Sequence, residues 1–258
     1  PDKLLEGCSS VIAVAYNYNV GDPHKPGKMK IARYAQGRDY HNVIRSRLRK
    51  IESLICDEAP SENCRICVDS APLLEREFAM RAGLGWFGKN TMLIDSRRGS
   101  WFLLGFLLTT AKLRADQPAE GGCGSCAKCI DACPTGAIKM LNDRWAVDSR
   151  QCISYWTIEH KGEISTAMSK SLGDWTFGCD VCQEVCPFNE PRKSQPLRAA
   201  VTPDPDAQPR RAWPSLAEVD ELSEQEWDLL SMGSPVRRAG LTKLKQAARI
   251  NRANAGEE

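Results

Sequence analysis

The run Cys123-x2-Cys126-x2-Cys129-x3-Cys133-Pro134 constrains this chain more than any other feature. Four cysteines in this register are the ligand spacing of a 4Fe-4S cube: three thiolates on one tight loop take three corners. The fourth, held by the turn before proline, points to a different cube. A second run, Cys179-x2-Cys182-x3-Cys186-Pro187, is the same element one cysteine short. Four and three leave one ligand wanting for two cubes, and Cys152, isolated between the runs, supplies the eighth. The crossed-ligand rule then predicts one cube on Cys123, Cys126, Cys129 and Cys186. It predicts the other on Cys133, Cys152, Cys179 and Cys182. Zinc ribbons are the competing reading, but structural zinc sites use separated pairs of ligands.

Twelve cysteines in 258 residues fall below the ~8–10% of short disulfide scaffolds. The chain opens Pro1-Asp2-Lys3-Leu4-Leu5-Glu6 with no secretory or twin-arginine signal. Its longest apolar block, Trp101 to Thr110, is half of what a membrane helix needs. A cytoplasmic location without a membrane is therefore expected, where clustered cysteines serve metals or redox chemistry. A start at Pro1 without methionine suggests a missing N-terminal segment.

Before the cysteine runs, the pattern mixes strands and helices. Val11 to Tyr16, Ile66 to Val68, Met92 to Ile94 and Trp101 to Leu108 read as strands. Asp39 to Ala59 reads as a helix with Val43, Ile44, Leu48, Ile51 and Ile55 on one face, and a second helix runs from near Pro72 to Gly83. Six prolines between Pro191 and Pro214 mark a linker. An acidic helix, Glu218 to Leu230, and a basic one, Ser234 to about Ala255, follow. Net charge is only +2, yet Lys25 to Lys50 holds nine Lys/Arg against Asp39 alone, and Arg237 to Arg252 holds a second basic run. Such clustering is either a solvated helix face or the footprint of a phosphate-rich partner.

Two weaker signals resolve differently. Gly83-x-Gly85-x-x-Gly88 matches the dinucleotide pattern, but a helix precedes it and a strand follows, the reverse of what that fingerprint requires. It is read as a loop where backbone must approach another group closely. Cys64-x2-Cys67 lacks a partner pair and, with Cys8 and Cys56, is read as packing.

Several stretches together carry a family resemblance. They are Arg33-Tyr34-Ala35-x-Gly37-x-Asp39-Tyr40-His41, Val68-Asp69-Ser70-Ala71-Pro72-Leu73-Leu74-Glu75-Arg76, Ala82-Gly83-Leu84-Gly85-Trp86-Phe87-Gly88-Lys89-Asn90, and Cys152-Ile153-Ser154-Tyr155 between the cysteine runs. In this order, over nearly the whole chain, they resemble epoxyqueuosine reductase. The resemblance implies two 4Fe-4S clusters and cobalamin, which remove the epoxide oxygen of epoxyqueuosine at the tRNA wobble position. It implies an α+β protein: an α/β cobalamin-binding catalytic domain over 1–115 and a bacterial-type two-cluster ferredoxin-like domain over 116–190. A Pro-rich linker over 191–214 and C-terminal helices over 215–258 complete it. The implied partners are tRNA carrying epoxyqueuosine and an external low-potential electron donor, with the protein a monomer. A dehalogenase-like cobalamin enzyme and a non-catalytic electron carrier are the alternatives; the carrier leaves Val11 to Leu108 without a task.

For the site, the resemblance implies Asp69 as proton donor, with Arg76 holding it or orienting substrate. Asp69 ends an apolar strand before Ala71-Pro72, so partial desolvation would raise its pKa and keep a proton available; a helix cap is the plainer role. Lys89, Asn90, Leu93, Ser154, Cys179 and Asp180 are implied cobalamin contacts, Cys179 being both cluster ligand and cofactor neighbour. Tyr34, Tyr40 or Trp86 could stack on an extruded base or simply pack in the core. With tRNA as substrate, phosphate contact becomes the better reading of Lys25 to Lys50.

Overall fold

The computed structural model describes residues 1–256; Glu257 and Glu258, the end of the expected helical segment, lie outside the described residues. Strand β1 (Ser10–Asn17) is followed by the short β2 (Lys30–Ile31), helix α1 (Tyr40–Glu58), β3 (Cys64–Cys67) and helix α2 (Glu75–Arg81). Then come β4 (Trp86–Phe87), β5 (Leu93–Ile94) and β6 (Phe102–Thr109). β6 is the central strand of an antiparallel sheet in the order β1-β6-β3, running from Ser10 opposite Thr109 to Asn17 opposite Phe102 on one side. On the other, Cys64 to Cys67 pair with Thr109 to Phe106.

Helix α1 lies on this sheet because its apolar residues recur at helical spacing: Val43, Ile44 and Leu48 are buried with Leu107, Val68 and Tyr16. Gly105 in β6 makes the close approach possible, since a Cβ there would run into Ile44 and crowd Leu48 and Val14. Gly105→Val should therefore cost about 1–3 kcal/mol by overpacking. The unfolding midpoint should drop by about 2–4 °C per kcal/mol, as thermal unfolding followed by circular dichroism will show. Cys64 and Cys67 pack as expected, but Cys56, near the end of α1, is exposed.

The expected helix from Pro72 begins instead at Glu75. Asp69 adopts a left-handed backbone (φ 58°), and the chain needs five further residues of turns before it can coil. Asp69 caps no helix: the residue before α2 is Leu74, and the Glu75 carboxylate accepts the Asp69 N–H at 2.8 Å. The glycine loop is a hairpin in which β4 pairs with β5, not a cofactor fingerprint.

The cysteine region contains α3 (Lys128–Asp131), a hairpin of β7 (Ile138–Leu141) and β8 (Arg144–Val147), α4 (Thr166–Ser169), β9 (Trp175–Phe177) and α5 (Val181–Glu184). The hairpin turns on Asn142-Asp143, both with positive φ. β9 pairs in parallel with β2, which ties the cysteine region to the segment before α1.

The stretch 191–214 is no free tether. Arg198, Ala199, Ala207 and Trp213 are buried, and Trp213 enters a core with Ile31 and Phe177. The expected acidic helix is two, α6 (Leu216–Glu221) and α7 (Glu224–Ser231), each opened by its own capping box, Ser215 with Glu218 and Ser223 with Glu226. The final α-helix, α8 (Gly240–Ala255), starts after a 3₁₀ turn over Pro235–Ala239 and supplies Leu241, Leu244 and Ala248 to the same core. Among the described residues no helix is long and apolar enough to cross a membrane.

Candidate active site and cluster-binding thiols

The eight motif cysteines are free thiols in two groups. Cys123, Cys126, Cys129 and Cys186 line one small enclosed space with Asn90, Ile94 and Phe188. Burial pushes the Cys129 thiol up to about 11, with Cys123, Cys186 and Cys126 adding to the push. In the second group burial drives Cys179 up to about 12, reinforced by Cys152 and Cys133 among others, and drives Cys182 well above its usual value with Cys179 and Cys152 contributing. Burial acts on Cys133 too, but hydrogen bonds outweigh it and leave that thiol lowered. The bonds come from Thr135 and from backbone amides, among them Ala137 at 3.3 Å.

As thiolates, groups so buried and crowded would be unfavourable alone and favoured by positive charge among them. Among the described residues no three His, Cys, Asp or Glu side chains gather tightly enough for a single ion; a four-iron cube takes each thiolate at its own corner. The thiols therefore fit iron–sulfur cubes, in the two groups that the crossed-ligand rule gives.

Beside the second group opens a cavity of about 770 Å³ whose wall includes Tyr34, His41, Asp69, Cys179, Asp180 and Arg238. A second, of about 860 Å³, is lined by Leu73, Glu75, Arg76, Phe87, Leu93 and Arg144 among others. Both include Asp69, Met92, Phe102 and Leu103, so Asp69 stands at their seam.

The seam is built from the N-terminus of α1 and the turn after β3. Asp39 precedes α1 and accepts the His41 backbone N–H at 3.0 Å while its Oδ1 meets His41 Nδ1 at 2.8 Å. The other ring nitrogen, Nε2, meets Asp69 Oδ2 at 3.2 Å. Arg238 approaches the same oxygen at 3.9 Å while bonding Glu159. Hydrogen bonds to Asp39 and Asp69 outweigh burial and raise His41 to about 9. The same contact with His41 holds the Asp69 carboxyl below its ordinary value against partial burial, with Arg238 and Arg45 assisting.

The expectation of a desolvated, proton-retaining Asp69 is thus corrected. Its side chain is 48% exposed, and near neutral pH the proton of the pair resides on His41. A left-handed backbone at a non-glycine residue is the kind of local strain that gathers at functional sites.

Other expected residues are placed as follows. Arg76 lines the second cavity, donates to the Thr91 carbonyl and lies over the Phe87 ring; it makes no bond to Asp69. Leu93 lines that cavity, and Ser154, Cys179 and Asp180 line the first. Lys89 and Asn90 line neither; they face the first thiol group, Lys89 over the Trp145 ring and Asn90 donating to the Cys182 carbonyl at 3.2 Å. Their glycine-bounded turn lies against the thiols.

Asp180 is almost wholly buried, which lifts its carboxyl to about 7; it accepts the Arg33 N–H at 2.8 Å. Tyr34 and Tyr40 line the first cavity, whereas Trp86 packs with Cys186 and Phe188. The Lys25 to Lys50 block is largely compensated. Lys28, Lys30, Arg33, Arg38 and Arg47 pair with Glu218, Asp174, Glu184 and the Asp204/Asp206 pair, so five of the nine cations are ion-paired within the chain. His41 and Asp39 lay within a quoted motif but carried no expected role, and the Asp39-x-His41 spacing at a helix start was the available signal.

Comparison with known proteins follows the same division. Residues 122–189 match a 4Fe-4S double cluster binding domain, and residues 1–70 match the model described as epoxyqueuosine reductase QueG, DUF1730. The epoxyqueuosine reductase of Synechococcus sp. (strain CC9605) is 43% identical over 246 residues, covering 95% of this chain and 73% of that protein. That of Escherichia coli (strain K12) is 42% identical over 248 residues, 93% of this chain and 63% of that protein. The structure of epoxyqueuosine reductase from Streptococcus thermophilus superposes with a TM-score of 0.87 at 29% identity, over 100% of this chain and 68% of that one. An epoxyqueuosine reductase bound to an epoxyqueuosine-modified tRNA-Tyr stem loop gives 0.85 at 30% identity, over 98% and 67%. A Bacillus subtilis structure, described with its catalytic aspartate loop swung out of the active site, gives 0.86 at 28%, over 98% and 67%.

Proposed function

The chain belongs to the epoxyqueuosine reductase family, and from that premise we propose how its own residues divide the reaction. The activity is reduction of epoxyqueuosine to queuosine in tRNA. Removing the epoxide oxygen as water while a carbon–carbon double bond forms consumes two electrons and two protons. The carrier and dehalogenase readings give way to this one.

The cubes take Cys123, Cys126, Cys129 and Cys186, and Cys133, Cys152, Cys179 and Cys182. Cobalamin is assigned to the joined cavities, whose size suits a cofactor site, with Leu93, Ser154, Cys179 and Asp180 as its contacts. When bound it supplies two-electron reducing power at a carbon atom, which no side chain can. Cys179, as ligand and cavity wall, gives electrons a short path. Residues 1–115 supply most of the cavity walls and 116–190 the conduit, with Ser154, Cys179, Asp180 and Arg238 closing the first cavity from the later segments.

His41, held by Asp39, keeps the proton, which passes through Asp69 to the departing oxygen. The single observation that carries this reading is the hydrogen-bonded chain Asp39–His41–Asp69 ending at the seam of the cavities. Arg76, on the wall of the second, orients substrate, and Tyr34 and Tyr40 are placed to stack on an extruded base. The aspartate loop that swings in the Bacillus subtilis neighbour supports a movable turn around Asp69. An external low-potential donor, a monomeric state and a cytoplasmic setting complete the proposal.

Anaerobic reconstitution with iron, sulfide, cobalamin and a chemical reductant, then mass analysis of nucleosides from epoxyqueuosine tRNA, tests it. Loss of one oxygen per modified nucleoside is expected; a substrate that keeps its oxygen with both cubes and cobalamin loaded overturns it.

A further inference from the structure

The placement of Arg198, in the 191–214 stretch, raises a question of charge. The residue is only 6% exposed, yet among the described residues no carboxylate is one of the charged groups acting on it. Its Nε has no hydrogen-bond partner, and one terminal nitrogen donates to the Pro187 carbonyl at 3.4 Å. Its guanidinium stacks on the Phe188 ring, 5.1 Å from the centroid, with Arg192 over the same ring at 5.9 Å. The nearby Arg192 charge repels it, and the neighbour that would attract it when ionised is the Cys186 sulfur. A covered cation without a counter-ion is unfavourable. Pro187 and Phe188 both border the space enclosed by Cys123, Cys126, Cys129 and Cys186.

We propose that Arg198 is the counter-charge of the cube held by those four cysteines, raising its reduction potential so that this cube receives electrons first. The proposal rests on the ligand assignment above. The cube gains one negative charge on reduction, so a fixed cation beside a ligand sulfur stabilises the reduced form; local charge is among the factors that set such potentials. The geometry gives the direction a purpose. Cys179 of the other group borders the catalytic cavity, which makes the Cys186 group the outer one, where an external donor delivers.

The test is a redox titration of the anaerobic holoprotein followed by electron paramagnetic resonance, with Arg198→Met and Arg198→Lys beside the wild type. The signal lost in Cys186→Ala identifies the outer cube. At a fixed potential its reduced-to-oxidised ratio should fall roughly threefold to tenfold in Arg198→Met. That is ~30–60 mV at 59 mV per decade for one electron, with the inner cube unchanged and Arg198→Lys near wild type. Two intact cubes with unshifted potentials in Arg198→Met overturn the proposal and leave the ligand assignment standing. Fewer than two cubes in the wild type overturn both. If Arg198→Met fails to keep the outer cube, retention in Arg198→Lys at the wild-type potential supports the charge role. Equal loss in both variants shows a packing role and overturns it.

Discussion

Asp69→Asn should lower turnover of epoxyqueuosine tRNA by about 10²–10⁴-fold, the usual worth of a positioned general acid. Asparagine can keep the hydrogen bond to His41 Nε2, made at 3.2 Å, but it cannot pass a proton on. Cluster content and tRNA affinity should hold, so the loss should fall on kcat, measured by single-turnover nucleoside analysis. A variant turning over at the wild-type rate would remove Asp69 from the acid role. The proton supply behind it sets a pH limit. His41 is raised to about 9, so its proton is present at neutral pH and lost as pH rises through 9. Its contribution to stability is complete below its ordinary value near 6.5 and disappears over the same rise. Asp69 is lowered, so its contribution is present above its ordinary value and is lost as pH falls through the depressed one. The intact pair therefore spans the mildly acidic to mildly alkaline range, and an alkaline limb in the rate profile should disappear in His41→Gln.

Cys152→Ala should remove the inner cube and leave the outer one. Cys152 ends a short 3₁₀ turn, Ser149–Gln151, between the two cysteine runs, and its charge adds to the burial that raises both Cys179 and Cys182. With one thiolate gone, an iron corner is open to water. Turnover should fall by more than the about 10–100-fold that follows a change behind the ligands. Cys186→Ala should give the opposite pattern although Cys186 sits in the same sequence run as Cys179 and Cys182, because it faces Cys123, Cys126 and Cys129. Iron analysis with spectroscopy of each variant measures this. Loss of the same cube in both would disprove the crossed assignment.

What could be read in advance depended on how local the determining contact is. The thiol groups were legible because ligand spacing is a property of short loops. β1, β6 and α1 were legible from apolar periodicity. The state of Asp69 was not: its partner His41 lies 28 residues away and reaches it only after α1 docks on the sheet through Ile44 and Leu48. Prolines hid the packing of 191–214, because they suppress regular structure without preventing burial, as Trp213 and Ala207 show. The break between α6 and α7 was written in Ser223 and Glu226, whose capping box was overlooked beneath a continuous acidic pattern.

The crossed thiol groups also determine how the chain fails. With ligands so assigned, each cube joins one cysteine run to the other, so Cys129 and Cys186 close a loop of more than fifty residues that includes the Asn142-Asp143 hairpin and β9. Treated as a covalent cross-link, such a closure restricts the unfolded chain by roughly 4 kcal/mol, comparable with much of a domain's net stability. Metal is then a structural staple as well as a wire. Oxidative loss of iron would release both ends at once, slacken the β2–β9 pairing and turn a damaged reductase into a substrate for proteolysis.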